Sequence, residues 1–329
     1  MTEKLKLAIG LGATCSGCDI AIIELGEKLL DVFKIADLVF WPTATDFKLK
    51  DLEAMNDGEI DVCLYHGAIA NQDNLEMAKL LRAKSKIMIS FGSCACFGGI
   101  PGLANVTTTD EIFQTAYKST TSTTNPDSTF PQATFKNNGH DLTLPVKLDT
   151  VLPLGGVVKP DYYMPGCPPP QEFIEKAVDA IASGKLPPKG TVLASDHSLC
   201  DECERKRDVK KIDHIYRFYE IPIDPVKCIL EQGVICMGPA TRGGCGARCI
   251  KANMPCRGCM GPIAENGDQG LRMIAALASV SGINEESIMQ ESEAEELMNQ
   301  VKDPLGLFYM FSLPSSMLKR SIVREAGMK

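Results

Sequence analysis

The sequence predicts an α/β fold: an open parallel sheet with helices on both faces, followed by an irregular, cysteine-rich domain. Three observations carry this. Short apolar runs alternate with helix-like segments through the first 185 residues, the pattern of a doubly covered parallel sheet. Turns rich in Gly or Pro, several bearing cysteine, follow the runs. Beyond Lys185–Gly190 (KLPPKG) the periodicity stops, and Ser195–Pro262 holds eight cysteines with many Gly and Pro.

In order, Lys4–Ile9 is a short run ending in Gly-rich turn residues, the signature of a first strand. Cys18–Val32 carries apolar residues at helical spacing. Ala36–Trp41, Ile60–Tyr65 and Lys86–Phe91 read as further strands, and Asp73–Lys84 as a helix before the last of them. Asn105–Asp149, rich in Thr, Ser and Asn, reads as an irregular insertion. Asp161–Met164 reads as the final strand and Gln171–Ser183 as the helix after it. KLPPKG then marks a boundary, so the expected domains are residues 1–185 and 186–329. Ser195–Pro262 has too little periodicity for regular elements and is expected to be organised by something other than a hydrophobic core. Asp268–Val280 and the acidic Glu285–Gln300 read as helices, and Gly306–Arg324 as a tail bearing Met and Phe.

The chain has 329 residues, 44% of them hydrophobic, with 34 Lys and Arg against 42 Asp and Glu, a formal charge of −8. That length buries a core without disulfide staples. An acidic balance without basic runs argues against a nucleic-acid partner. No apolar run reaches the roughly 18 residues of a membrane span, and MTEKLKLAIGLGATC lacks a signal-peptide core. A cytoplasmic location is therefore expected, with reduced cysteines available to metal. The anomaly is 14 Cys beside only 4 His.

Three cysteine sites punctuate the first domain: Cys15-Ser-Gly-Cys18, Gly92-Ser-Cys94 and Gly166-Cys167-Pro-Pro-Pro. Each follows a predicted strand, and the carboxyl ends of strands in an open sheet converge on one crevice. Cys15, Cys18, Cys94 and Cys167 can thus meet, and a four-iron cubane takes four thiolates. A zinc site is the rival reading. Cys96 competes with Cys94 but is read as a spare thiol, and Cys63, mid-strand in IDVCLY, as a small buried apolar residue. The second domain offers Cys200, Cys203, Cys228, Cys236, Cys245, Cys249, Cys256 and Cys259, enough for two more cubanes or for structural zinc. Spacing leaves their division open.

ATCSGC, FGSCACFGGIPG and PGCPPP, in this order, resemble the small subunit of nickel–iron hydrogenases. They are similar, more loosely, to the related complex I subunit, whose first cysteines are normally adjacent. CMGPATRGGC resembles the hydrogenase signature C-x-G-P-x-T-x-x-x-C, and MPCRGCMGP its closing P-C-x-G-C. The resemblance implies three clusters. Cys15, Cys18, Cys94 and Cys167 would hold a proximal 4Fe–4S cluster, and Cys200, Cys203, Cys228 and Cys236 a distal one. Cys245, Cys256 and Cys259 would hold the medial cluster, where Cys249 adds a fourth thiolate and predicts 4Fe–4S rather than 3Fe–4S. Periplasmic relatives open the distal site with His-x-x-Cys-x-Arg; here Cys203-Glu-Arg205 is preceded by Cys200, with His197/Cys200 as an alternative pair. Thiolate in place of a neutral ligand lowers a cluster's potential. The expected whole is a flavodoxin-like open parallel sheet plus a C-terminal irregular iron–sulfur domain.

Neither cysteine-pair signature of a nickel–iron site occurs, nor a dinucleotide fingerprint or P-loop lysine. No catalytic residue is expected here, and hydrogen splitting belongs to another chain. All-cysteine ligation, cytoplasmic placement and the C-x7-C spacing from Cys228 to Cys236 make the chain most similar to small (gamma) subunits of methyl-viologen-reducing, deazaflavin-non-reducing hydrogenases of methanogenic archaea. That resemblance implies a nickel–iron large subunit, a 2Fe–2S delta-type subunit and a heterodisulfide reductase complex as partners. The alternatives are a deazaflavin-reducing small subunit and a zinc-stapled scaffold. The tail Leu305–Phe311 reads as core, or else as a docking surface for the next carrier.

Overall fold

A computed structural model describes residues 4–208, 212–264, 267–281, 295–296 and 298–320. The first half runs β1 (Leu5–Leu11), α1 (Gly17–Ile23), α2 (Lys28–Ile35), β2 (Ala36–Phe40), α3 (Leu49–Glu53), β3 (Ile60–His66), β4 (Ile69–Asn71), α4 (Gln72–Lys84), β5 (Ser85–Phe91) and α5 (Gly92–Phe97). It continues with α6 (Thr109–Gln114), β6 (Thr134–Asn137), β7 (His140–Thr143), β8 (Lys147–Leu152), β9 (Tyr162–Met164) and α7 (Gln171–Ser183). Five strands form one parallel sheet in the order β2-β1-β3-β5-β9. Counting only those five, this is 2-1-3-4-5, the flavodoxin-like arrangement. The expected α/β class holds.

Both sheet faces are covered. Phe40, Tyr65 and Met88 pack with Ala78 and Leu81 of α4 on one side. Ile9, Phe91 and Met164 pack with Ala21 and Ile22 of α1 and Ile174 of α7 on the other. Burial on both sides explains why β3 and β5 read as near-continuous apolar runs rather than alternating ones.

Two expectations in this half change. Cys18–Val32 is two helices, because the chain turns at Gly26, whose φ of +58° is a conformation that ends α1 and re-aims α2. The stretch 105–149 is more ordered than its composition suggests. Thr108 and Glu111 form a capping box that starts α6. Asn138-Gly139, at φ +47° and +81°, closes the β6–β7 hairpin as a two-residue turn. β8 pairs antiparallel with β4. Asn105 is buried, accepts from the Val151 amide at 2.8 Å and donates to the Val151 carbonyl at 3.0 Å.

The second half is built from single 3-10 turns at Leu199–Asp201, Leu230–Gln232 and Gly238–Ala240, then α8 (Arg248–Lys251), α9 (Gln269–Ser281) and a short helix, Pro304–Phe308. The expectation that it lacks a hydrophobic core is corrected. Leu199, Ile212, Ile229, Leu230, Met237, Met273, Leu277, Phe308 and Leu313 form one buried cluster, and Cys236 and Cys256 belong to it. Met273 and Leu277 come from α9, but the others are delivered one or two at a time by isolated turns and a short helix, so no period marks them in sequence. Tail residues Phe308, Tyr309, Phe311 and Leu313 are buried, which favours the core reading of the tail over the docking reading. The tail also clasps the first half: the Gly99 amide donates to the Phe311 carbonyl at 3.1 Å. Most of Glu285–Gln300 lies outside the described residues. Among the described residues no helix is long and apolar enough to cross a membrane.

Candidate functional site

The crevice lies at the carboxyl ends of β1, β5 and β9. After β1, Gly12 donates to the His66 carbonyl at 2.8 Å and Ala13 pairs with Ala68, which holds the Cys15–Cys18 loop against the end of β3. Ser16, at φ +61°, turns the chain into α1, whose first turn carries Cys18. β5 runs through Gly92 into α5, which carries Cys94. After β9, the Gly166 carbonyl accepts from the Ser93 amide at 2.8 Å and fixes Cys167 beside Cys94.

Two glycines make room for the sulfurs. A Cβ on Gly92 would lie 2.5 Å from the Cys18 Sγ, and one on Gly99 2.5 Å from the Cys94 Sγ; both glycines have positive φ. The four thiols feel one another. Burial, then Cys94, Cys167 and Cys15, push the Cys18 thiol far above the ordinary thiol range. Burial, then Cys167 and Cys15, push Cys94 to about 12. Burial and Cys15 raise Cys167. Cys18, Cys94 and Cys167 resist ionising beside one another, and a cationic group would offset the charge of their thiolates, as in a metal-binding pocket. The residues fit an iron–sulfur group in that respect. Cys96 is buried and its S–H donates to the Ser90 carbonyl at 3.2 Å, consistent with a spare thiol, while Cys63 is fully buried in the sheet.

Cys200, Cys203, Cys228 and Cys236 line one small cavity, walled by Ile229, Leu230, Pro239 and Ile250 and flanked by Arg205 and Arg207. Burial, then Cys236 and Cys228, push Cys200 to about 12 against the opposing charge of Arg207. A third group joins Cys245, Cys249 and Cys259: burial and then Cys245 push Cys259 to about 12. Cys256 stands between groups, raised by burial, then by Cys236, and also by Cys259. Its amide donates to the Cys236 Sγ at 3.3 Å. At the other end the Cys167 amide faces the Cys259 sulfur, and the Ser93 hydroxyl donates to the Cys259 carbonyl at 2.5 Å. Backbone amides thus link Cys167 to Cys259 and Cys256 to Cys236. Among the described residues, no three His, Cys, Asp or Glu close around the position of a single ion. His197 is exposed, with Nε2 3.4 Å from Asp196.

Sequence reasoning missed a buried polar network beside Cys18. Asp19 is 3% exposed, accepts from the Trp41 indole at 2.7 Å and lies 3.0 Å from the His66 Nε2. Burial opposes its ionisation, yet the His66 and Trp41 hydrogen bonds hold its carboxyl below the usual range. A charged residue directly after the CxxC, at the buried edge of an amphipathic helix, was the available signal.

The family of the 20 kDa subunit of NADH ubiquinone oxidoreductase matches residues 15–181. The chain is 40% identical to the F420-non-reducing hydrogenase iron-sulfur subunit of Archaeoglobus profundus over 97% of this chain and 99% of the relative. It is 36% identical to the corresponding F420-non-reducing hydrogenase subunit of Methanothermobacter thermautotrophicus over 99% of each chain. A solved chain of an NAD+-reducing NiFe-hydrogenase shares 27% identity, with a TM-score of 0.48, over 56% of this chain and 94% of the other. The relatives' non-reducing designation favours that subtype over the deazaflavin-reducing alternative. An α/β sheet with its cysteines at strand ends, a cysteine-rich second half and near-complete alignment converge on one assignment: the chain belongs to the small-subunit family of the F420-non-reducing hydrogenases, and is an oxidoreductase subunit.

Proposed function

We propose that this chain is an electron relay with three 4Fe–4S sites: proximal on Cys15, Cys18, Cys94 and Cys167, medial on Cys245, Cys249, Cys256 and Cys259, and distal on Cys200, Cys203, Cys228 and Cys236. When bound, such clusters supply one-electron exchange without proton chemistry. The chain's residues hold the sulfurs, keep water out and set the order. The observation that carries the reading is continuity: the Cys167 amide reaches Cys259, and the Cys256 amide reaches Cys236, so the medial group bridges the other two.

The ends differ in a way that fits a direction. Cys15 and Cys167 are exposed, and Ile20 and Ile23 of α1 expose more than half of their surface nearby, as a face awaiting a large partner would. The partner there is a nickel–iron large subunit that oxidises dihydrogen. Onward transfer leaves the distal site toward a 2Fe–2S delta-type subunit and a heterodisulfide reductase complex, in the cytoplasm.

Metal and sulfide analysis of the purified complex tests the reading. About 12 iron beyond that of the partner subunits, with matching sulfide, is expected for three four-iron clusters on this chain. Zinc without sulfide contradicts the relay, and a stoichiometric 3Fe–4S resonance in the oxidised protein contradicts the medial assignment. Copurification of the large, 2Fe–2S and reductase subunits tests the partners; a complex containing a flavin subunit that reduces deazaflavin contradicts them.

A further inference from the structure

The run Cys203-Glu-Arg-Lys-Arg207 places two cations against the distal cysteines. Arg205 is 9% exposed. Its Nη1 donates to the carbonyls of Asp224 at 2.7 Å and Lys227 at 3.0 Å, and its Nη2 to the Ile250 carbonyl at 3.1 Å and the Asn253 Oδ1 at 2.6 Å. All four acceptors are neutral, and no carboxylate pairs with this guanidinium among the described residues. Lys206 bridges to Lys227 in an extended conformation, its amide donating to the Val226 carbonyl and its carbonyl accepting from the Cys228 amide, each at 2.8 Å. Side chains alternate along an extended segment, so Arg205 and Arg207 fall on one side, where both flank the cavity of Cys200, Cys203, Cys228 and Cys236.

A buried cation without an anion is costly unless one is supplied. A four-iron cluster on four thiolates is such an anion, because each cysteine brings a negative charge. We propose that Arg205, clamped by four neutral acceptors, and Arg207, at the cavity rim, are positioning residues that provide the counter-charge of the distal cluster and raise its reduction potential. This inference rests on the relay reading above. A positive charge beside a cluster favours the reduced, more negative state. The pair thereby offsets the lowering that an all-cysteine distal site imposes and keeps the end of the relay able to accept an electron.

The test is an EPR-monitored redox titration of the purified complex, read cluster by cluster and accompanied by iron analysis. Arg205→Gln should shift the distal midpoint to more negative potential and leave the proximal and medial midpoints in place. Arg207→Gln should shift it in the same direction by less, because that side chain is exposed. Arg205→Lys keeps the charge but loses the fork that reaches four acceptors, so it should retain the wild-type midpoint at reduced thermal stability. Unchanged distal midpoints in both Gln variants overturn the proposal. So does an Arg205→Lys midpoint as negative as that of Arg205→Gln, which would make the residue a clamp alone. If Arg205→Gln assembles without its distal cluster, Arg207→Gln decides: a negative shift supports the counter-charge and an unmoved midpoint overturns it. A wild-type complex lacking any cluster at these four cysteines refutes the relay itself, which iron analysis reads separately.

Discussion

The strand-end cysteines and the cysteine-rich half solve one problem in different ways. In the first, a sheet with two cores of its own supports three loops; Cys18 packs against one core, and Cys15 and Cys167 are exposed. In the second, Cys236 and Cys256 are members of the only large core of that half among the described residues. The two sheet cores are built mostly from residues other than these cysteines, so the fold there should stand without a proximal cluster. Cys203, Cys228 and Cys245 pack against that core, so on the proposed relay metal binding there would also be folding.

The largest effects should separate these regions. Cys94→Ala should remove the proximal cluster, about 4 iron, and abolish dihydrogen-driven reduction of the remaining sites, while hydrogen exchange in β3 and β5 stays slow. Cys236→Ala should cost iron and also speed exchange in α9 and Pro304–Phe308. Equal loss of protection in the sheet of Cys94→Ala would break the comparison. Next in size, Leu277→Ala deletes a fully buried side chain that packs among Cys236, Met273 and Phe308. A cost of about 2–5 kcal/mol is expected, with weaker iron retention at the distal and medial sites alone, measured by denaturant melts and iron analysis.

Gly92→Ala forces a methyl against the Cys18 Sγ at a positive φ. A loss of about 1–3 kcal/mol is expected from such a strained position, with a disturbed proximal signal by EPR and unaltered distal and medial signals. The smallest effect concerns pH. Burial pushes the Cys63 thiol from 9.0 to about 12. Its folded-state value is raised, so its contribution is complete below pH 9 and fades as pH rises toward 12. Apoprotein melts should show alkaline loss of stability, and Cys63→Ala should lessen its slope between those values by the share of one thiol; an unchanged slope would count against burial as its cause.

The sequence made the first region legible because topology does the positioning there. Apolar runs predict strands, and strand ends predict where Cys15, Cys94 and Cys167 converge, without knowledge of any side-chain contact. Its failures were local: Gly26 splits a helix, and the Asn138-Gly139 turn hides in a polar stretch. The second region was legible only as a count and a resemblance. Ile212, Leu230 and Met237 enter its core from unrelated turns, and no periodicity encodes that. Arg205 was visible as part of a motif, but its burial among neutral acceptors belongs to the fold. Asp19 stood out only as a charged residue after the CxxC; its partners Trp41 and His66, from the end of β2 and from β3, are distant in sequence.

The central claim is that three sulfur groups act in series, with the medial group as the bridge. Its most direct test is the complex carrying Cys245→Ala and Cys249→Ala, exposed to dihydrogen and read by EPR. A relay predicts about 4 fewer iron than the wild-type complex, a reduced proximal cluster and a distal cluster that stays oxidised. Distal reduction at the wild-type rate in the absence of the medial cluster would contradict it.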